Sequence, residues 1–172
     1  HPHVFGDATA ATPEDVIRQW EKIKKKEKGY EERKFVVDGL PRHLPALQKA
    51  QKLQKKVAKV GFDWSNINDV IAKVDEELAE VKEAINENKP ENIEEEVGDL
   101  LFSIVNLSRF LKLDTENVLH KTIYKFVERF KKVEMELATM GKDIEKCSLE
   151  EMDAIWNKIK NEGKKTRKSG KK

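Results

Sequence analysis

The sequence predicts an all-α protein, and three observations support this fold class. Apolar residues recur at helical spacing along most of the 172-residue chain, alternating strand-like segments are nearly absent, and glycine or proline separates the periodic segments. The one strand-like clump, Phe35-Val36-Val37, precedes Asp38-Gly39 and two prolines. A short extended linker explains it better than a strand.

Six helices are expected. The first is capped by Thr12 with Pro13 in its first turn, and the last is capped by Ser148, which has capping-box spacing to Glu151. To within a few residues, the expected helices cover 12–28, 44–60, 65–88, 90–111, 115–140 and 148–160.

The third and fourth helices each carry one apolar stripe and are expected to pair as an antiparallel hairpin, since only a short loop before Pro90 separates them. Their candidate core residues are Ile67, Val70, Ile71, Val74, Leu78, Val81, Ile85, Ile93, Val97, Leu100, Leu101, Ile104 and Leu111. On the fifth helix the candidate core face is Phe126, Phe130, Val133 and Leu137.

Composition excludes several classes of protein. Charged and hydrophobic residues each make up 38% of the chain, which is too polar for a membrane protein and too apolar for a wholly disordered one. The net charge is +2, but the segment 163–172 carries six lysine and arginine residues, and removing it leaves −4. This segment has no apolar residue and is expected to be a disordered basic tail. Nucleic acid is not expected as a partner, because the rest of the chain is acidic.

Cysteine content and hydropathy bear on location. Cys147 is the only cysteine, which excludes an intrachain disulfide and a cysteine-based zinc cluster. No apolar run approaches the length that spans a bilayer, and the N-terminus has no signal pattern. A cytoplasmic protein without a membrane partner is expected.

The first and last helices share a pattern. Residues 12–24 match residues 148–160 in cap, acidic pair, tryptophan and lysine, so that Trp20 corresponds to Trp156. Either the chain holds the end of a duplicated unit before a complete copy, or two amphipathic helices with ordinary caps happen to be alike. The start at His1 instead of methionine favours the first interpretation.

Two pairs of carboxylates lie on the predicted hairpin. Glu77 and Glu80 are three residues apart on the third helix, as are Glu96 and Asp99 on the fourth, so each pair lies on one helical face. Four converging carboxylates without His or Cys favour Mg²⁺ or Mn²⁺, and Gly98 leaves room for a neighbour or ligand. The alternative is an ordinary solvated acidic face. A di-iron site is disfavoured, because no Glu-x-x-His occurs.

The order Glu76-Glu77-x-x-Glu80, fifteen intervening residues, then Glu96-Val-Gly-Asp99-Leu-Leu-Phe resembles the paired acidic motif of the all-α nucleoside triphosphate pyrophosphohydrolases, and most closely the MazG family. Further segments resemble MazG in the same order: Leu44-Pro-Ala-Leu, Lys52-Leu-Gln, Val60-Gly-Phe-Asp-Trp64, Lys125-Phe-x-x-Arg129-Phe and Met152-Asp-x-x-Trp156. The first twenty residues resemble the end of the first of two MazG modules.

The resemblance implies Mg²⁺-dependent hydrolysis of a nucleoside triphosphate to the monophosphate and pyrophosphate, with Mn²⁺ as a substitute metal. It implies that the metal ligands are Glu77, Glu80, Glu96 and Asp99. Glu76 is the candidate for orienting or deprotonating the attacking water, although a metal ligand could also do so.

The resemblance also implies substrate-binding residues on the last two helices. Lys125 and Arg129 would contact the triphosphate, Trp156 would stack on the base, and Lys160 would contact a phosphate or the base. A solvated basic edge is the competing interpretation for the first two, and a core position for Trp156. Trp64 either borders the base pocket or packs with Phe62 at a helix entrance. Two residues before Lys125 many relatives have an asparagine, where this chain has Ile123. One contact with the ligand that the resemblance implies is therefore in doubt.

The expected organisation is a remnant of a first MazG module (1–29), a linker (30–43), a complete catalytic module (44–162) and the basic tail. A MazG-like bundle is expected, with a four-helix core completed by homodimerisation, because one hairpin and a third helix cannot cover both apolar faces. The alternative function is a non-catalytic nucleotide-binding or assembly module of the same fold. A third interpretation, an RNA-associated helical protein with a basic tail, depends on residues 163–172 only and is ranked last, because short lysine tails are commonly solubilising.

Overall fold

The computed structural model describes residues 12–24 and 34–170. They form six α-helices and one short 3₁₀-helix, and this part of the chain contains no β-strand, which confirms the all-α prediction. Two compact units are present, one ending at Lys112 and the other beginning at Leu113. Among the described helices, none has a window apolar enough to cross a membrane.

The first unit contains four helices, and its centre is a hairpin. The helices are α1 (Pro13–Lys24), α2 (Ala46–Lys59), α3 (Ile67–Glu87) and α4 (Pro90–Phe110). Helix α3 begins where the Asn66 side chain accepts a hydrogen bond from the Asp69 backbone N–H at 3.0 Å. It ends at Asn88, which adopts the left-handed conformation with φ 55°. Pro90 then starts α4, so the chain reverses over two residues.

The core of the first unit lies between α3 and α4, with α2 against α4. The buried apolar side chains are Val70, Val81, Ala84 and Val105. Gln54 of α2 is also buried, and its Nε2 donates to the Phe102 carbonyl oxygen at 2.9 Å. This bond fixes α2 against α4 at a point where an amide would otherwise be buried at a cost.

The predicted apolar stripe of α3 divides into two rows. Val70 and Val81 are buried, whereas Ile71, Leu78 and Ile85 are 41–55% exposed. On α4, Val97, Leu101 and Ile104 are likewise exposed, in contrast to buried Val105. The expectation that all of these positions form the core is therefore wrong within the described chain, because one neighbouring helix covers only about half of so wide a stripe.

The second unit contains α5 (Thr115–Thr139), a 3₁₀-helix (Ile144–Lys146) and α6 (Leu149–Ser169). Asp114 caps α5, and the Ser148 hydroxyl accepts from the Glu151 N–H at 3.2 Å, which confirms the predicted cap. Helix α5 ends before Gly141, whose φ of 68° suits glycine. Val133 and Leu137 are buried as predicted, but Phe126 is 55% exposed.

Two segments differ from the predicted elements. Helix α6 continues through Gly163 to Ser169, so residues 163–169 are helical and not disordered. Lysine and arginine are good helix formers and no proline interrupts the run, which explains the continuation. Residues 35–37 form a turn in place of an extended linker, because the Asp38 carboxylate accepts from the N–H groups of Lys34 and Phe35.

The expected remnant and linker fall partly outside the described residues, which begin at Thr12 and omit 25–33. The described part of α1 begins like α6, because the Asp15 N–H donates to the Thr12 hydroxyl at 3.2 Å. The two tryptophans differ: Trp20 is 60% exposed, whereas Trp156 is half-buried. The caps of the two matching segments are thus alike, and their surroundings are not.

Candidate metal centre

Three carboxylates converge on the α3–α4 hairpin. Glu77 of α3 and Glu96 and Asp99 of α4 each place one carboxylate oxygen within 4.8 Å of the other two. Because Glu96 and Asp99 are three residues apart, they share the face of α4 that meets Glu77. Three of the four predicted ligands therefore lie together. Glu80 is exposed and does not belong to the group of three.

Burial differs across the group. Glu77 is buried, with 9% of its surface exposed, Glu96 is half-buried and Asp99 is exposed. Desolvation raises the pKa of Glu96, and the neighbouring charges of Glu80, Asp99, Glu77 and Glu95 raise it further. The carboxylates of the cluster repel one another and are partly desolvated, and a bound cation would reduce both unfavourable effects.

Lys73 supplies the nearest positive charge. Its Nζ lies 3.0 Å from Glu77 and 3.4 Å from Glu76. The hydrogen bond to Glu77 raises the pKa of Lys73 most, with partial burial acting in the opposite direction. The sequence analysis did not single out Lys73, although its spacing of three and four residues before the two glutamates was the available signal.

The donor set fits a hard divalent cation. The group contains only carboxylate oxygens, the ligands that Mg²⁺ and Mn²⁺ prefer. In an octahedral Mg²⁺ site, adjacent ligands lie roughly 3.0 Å apart and opposite ligands roughly 4.2 Å apart. Binding of a cation would therefore draw the three carboxylates, whose oxygens lie within 4.8 Å of one another, closer together.

Gly98 lies between Val97 and Asp99 on α4. A Cβ atom added there meets no described atom within 4 Å, so packing within the chain does not require glycine at this position. Glu76, the candidate for orienting or deprotonating the attacking water, is exposed and lies 3.4 Å from Nζ of Lys73.

The second unit holds the other predicted site residues. The Cζ atom of Arg129 lies 5.1 Å from the ring centroid of Trp156, and the ring of Phe126 lies 5.1 Å from the same centroid at 47°. Arg129 and Trp156 therefore form a cation–π pair between α5 and α6. Lys125 and Lys160 are exposed, each four residues from a member of this pair. Trp156 packs against neighbours and is only half-buried, so both of its predicted roles remain compatible with its position.

The loop before α3 carries two exposed aromatic side chains. Phe62 is 79% exposed and Trp64 is 40% exposed, so neither is a core residue of the described chain. Between them, Asp63 pairs with Arg109 near the end of α4. The hydrogen bond from Arg109 lowers the pKa of Asp63 against the opposing effect of burial. This pair fixes the loop to the hairpin.

Residues 66–134 match the MazG nucleotide pyrophosphohydrolase domain. The chain contains a domain of the MazG family. The matched segment includes all of the predicted carboxylates together with Lys125 and Arg129, whereas Trp156 and Lys160 follow it. Ile123, which stands where the resemblance leads us to expect asparagine, lies inside the segment and is 50% exposed.

Curated proteins similar to this chain align with 93% of its length. The nucleoside triphosphate pyrophosphohydrolase/pyrophosphatase MazG of Thermotoga maritima is 46% identical over 160 residues, which is 60% of its own length. The nucleoside triphosphate pyrophosphohydrolase of Escherichia coli is 42% identical over 164 residues, or 62% of its length. YabN of Bacillus subtilis, an uncharacterized protein, is 43% identical over 161 residues, or 33% of its length. The chain thus spans about three fifths of the first two relatives.

Proposed function

We propose that this chain hydrolyses a nucleoside triphosphate to the nucleoside monophosphate and pyrophosphate in a reaction that requires Mg²⁺ or Mn²⁺. The observation that carries the proposal is the convergence of Glu77, Glu96 and Asp99 within 4.8 Å on the hairpin of a MazG domain. The names of the Thermotoga and Escherichia relatives support the substrate class. One water is consumed, and one phosphoanhydride bond breaks.

The carboxylates have distinct roles in this proposal. Glu77, Glu96 and Asp99 hold the metal, and Glu80 completes the set by rotating its exposed side chain toward Glu96. A bound Mg²⁺ would neutralise the triphosphate and stabilise the charge that develops during phosphoryl transfer. A carboxylate oxygen of Glu76 orients the attacking water and accepts its proton.

The proposed substrate-binding residues lie on α5 and α6. Lys125 and Arg129 lie one helical turn apart and bind phosphate oxygens, for which the guanidinium fork is well shaped. Trp156, held by Phe126 and Arg129, presents its remaining exposed surface to the base. Lys160, one turn further along α6, contacts a phosphate or the base.

Measurement of pyrophosphate release from a mixture of nucleoside triphosphates tests the activity. Release should require Mg²⁺ or Mn²⁺, stop on addition of EDTA, and be lost in Glu96→Ala and Asp99→Ala. Release that persists in EDTA or in both variants would refute the carboxylate site. Mg²⁺-dependent nucleotide binding without any product would instead identify a nucleotide-binding module. Mass spectrometry of products formed in ¹⁸O-labelled water would then show which phosphorus is attacked.

We also propose that two copies of the chain form a homodimer through the exposed rows of the hairpin. Ile71, Leu78 and Ile85 repeat every seven residues on α3, and Leu101 on α4 is 54% exposed. Leaving such rows in water is unfavourable by about 25 cal/mol per Å² of apolar surface. A second copy offers a matching apolar surface, and the two hairpins together form a four-helix core.

Sedimentation of the 172-residue chain tests this assembly. The parent should sediment as a dimer at micromolar concentration, whereas Leu78→Lys with Leu101→Lys should be monomeric. The control, Ile17→Lys on α1, replaces an apolar side chain outside the hairpin that is 58% exposed, and it should remain dimeric. A monomeric parent would refute the dimer.

A further inference from the structure

The C-terminal half of α6 carries a row of cationic side chains. After Ile159 the described residues of this helix contain no apolar side chain, and all of residues 160–170 are exposed. Five of the ten residues from Lys160 to Ser169 are basic, and Glu162 is the one acidic residue among them. None of the five basic residues forms an ion pair with another residue in the described part of the chain.

Helical geometry places four of these cations on one face. At about 100° per residue, Lys160, Lys164, Arg167 and Lys168 fall within roughly 100° of one another, and we name them the basic ridge. Glu162 lies on the opposite face and does not neutralise them. Four residues of α-helix rise about 6 Å, so successive lysines of the ridge are spaced much like neighbouring phosphates of an extended nucleotide strand.

The energetics also favour a polyanion. Like charges four residues apart destabilise a helix, and a bound row of phosphates would relieve this repulsion. A membrane surface is a poorer fit, because residues 160–170 offer no apolar face to enter the lipid interface. The prediction of no nucleic-acid partner rests on the acidic charge of the rest of the chain, but α6 places four of these cations on one helical face.

We propose that the basic ridge of α6 binds single-stranded nucleic acid through its phosphate backbone. The ridge contains no aromatic side chain on which a base could stack, and its lysine and arginine side chains bind phosphate oxygens, which are the same at every nucleotide. Binding is therefore independent of sequence and strongly dependent on salt. Lys160 also has a proposed contact with the substrate, whereas Lys164, Arg167 and Lys168 have no assigned role in hydrolysis and can be tested separately from it.

Fluorescence anisotropy of a labelled 20-nucleotide oligo(dT) with the whole chain tests the proposal. The triple variant Lys164→Glu, Arg167→Glu, Lys168→Glu should bind at least about tenfold more weakly than the parent in low salt. A second triple variant, with glutamine at the same three positions, should weaken binding by a smaller factor. In the glutamine variant the slope of log affinity against log salt should be smaller by about 2 than in the parent, as expected when roughly three phosphate contacts on a single strand are lost.

The matched control changes the same charge elsewhere. Lys55→Glu, Lys82→Glu, Lys132→Glu alters three exposed lysines outside the ridge and should bind oligo(dT) within about threefold of the parent. Pyrophosphate release and the helical circular dichroism signal should be the same in ridge variant and parent. An equal loss in the control, an unchanged affinity in both ridge variants, or binding of the parent to phosphatidylglycerol vesicles but not to oligo(dT) would each overturn the proposal.

Discussion

Arg109 binds Asp63 through both terminal nitrogens of its guanidinium group. Nη2 lies 2.5 Å from one carboxylate oxygen and Nη1 lies 3.2 Å from the other, while Nε donates to Asn106 at 2.8 Å. The Arg109 side chain is only 11% exposed. The geometry is bidentate and partly buried, which distinguishes this pair from the surface ion pairs of the chain.

Asp63→Asn should lower the free energy of unfolding by about 1–3 kcal/mol, because the largely buried Arg109 keeps its positive charge and loses the carboxylate that pairs with it. Since the folded pKa of Asp63 is lowered, its contribution is complete above the unfolded pKa of about 3.9 and is lost as pH falls through the folded value. Urea denaturation between pH 2 and 7 measures this. Glu128→Gln, which breaks the exposed pair with Lys131, is the control and should change stability by at most about 1 kcal/mol.

Glu77 and Glu80 should differ in their importance for catalysis. Glu77→Gln should reduce kcat/KM at least about 100-fold, since it removes a buried ligand worth several kcal/mol. Glu80→Gln should cost less, because Glu80 lies outside the group of three. Glu83→Gln, a nearby exposed change on α3, should leave pyrophosphate release unaltered. Equal losses in Glu80 and Glu77 variants would contradict the asymmetry.

Glu96→Gln should unfold at a higher urea concentration than the parent when EDTA is present. The substitution removes a half-buried charge from the vicinity of Glu77 and Asp99, whose repulsion opposes folding without a cation. Adding Mg²⁺ should reverse the order, because only the parent binds the cation fully. A less stable variant in EDTA would show that the carboxylates do not repel one another.

Lys73→Gln should destabilise the chain in EDTA by about 1 kcal/mol, since buried Glu77 loses its cationic partner. Mg²⁺ should then raise the midpoint of thermal unfolding more in this variant than in the parent, because the metal replaces the missing charge. Lys82→Gln, an exposed neighbour on α3, should behave like the parent. An identical response to Mg²⁺ in parent and variant would refute the compensation.

Gly98→Ala should raise the stability of the chain by about 0.5–1 kcal/mol, because alanine favours the helix and the added Cβ meets nothing within 4 Å. Gly163→Ala in α6 is the matched comparison, since its Cβ also meets nothing. Thermal unfolding should show similar gains. A gain at position 163 with a loss at 98 would indicate that a second copy approaches α4 closely at the glycine.

Much of the helical architecture could be predicted because its signals are local. Asn88 and Pro90 mark the hairpin turn, Ser148 forms the cap predicted for it, and the family motif identified the acidic positions of α3 and α4. The end of α6 was missed, since a charged run without apolar residues has the composition of a tail whether or not it is helical. Lys73 was missed because a lysine before two glutamates is common on any helix surface.

The sequence by itself determined the helices, their order, the carboxylate spacing on each helix and the MazG resemblance, since periodicity, capping and motif order act over a few residues. Only the tertiary structure decided that Glu77, Glu96 and Asp99 converge within 4.8 Å with Glu80 outside this group, and that Val70 is buried while Ile71 is exposed. The register between two helices depends on how their side chains interlock and on how the turn at Asn88 sets them. That relation joins residues about twenty positions apart, and no local pattern specifies it.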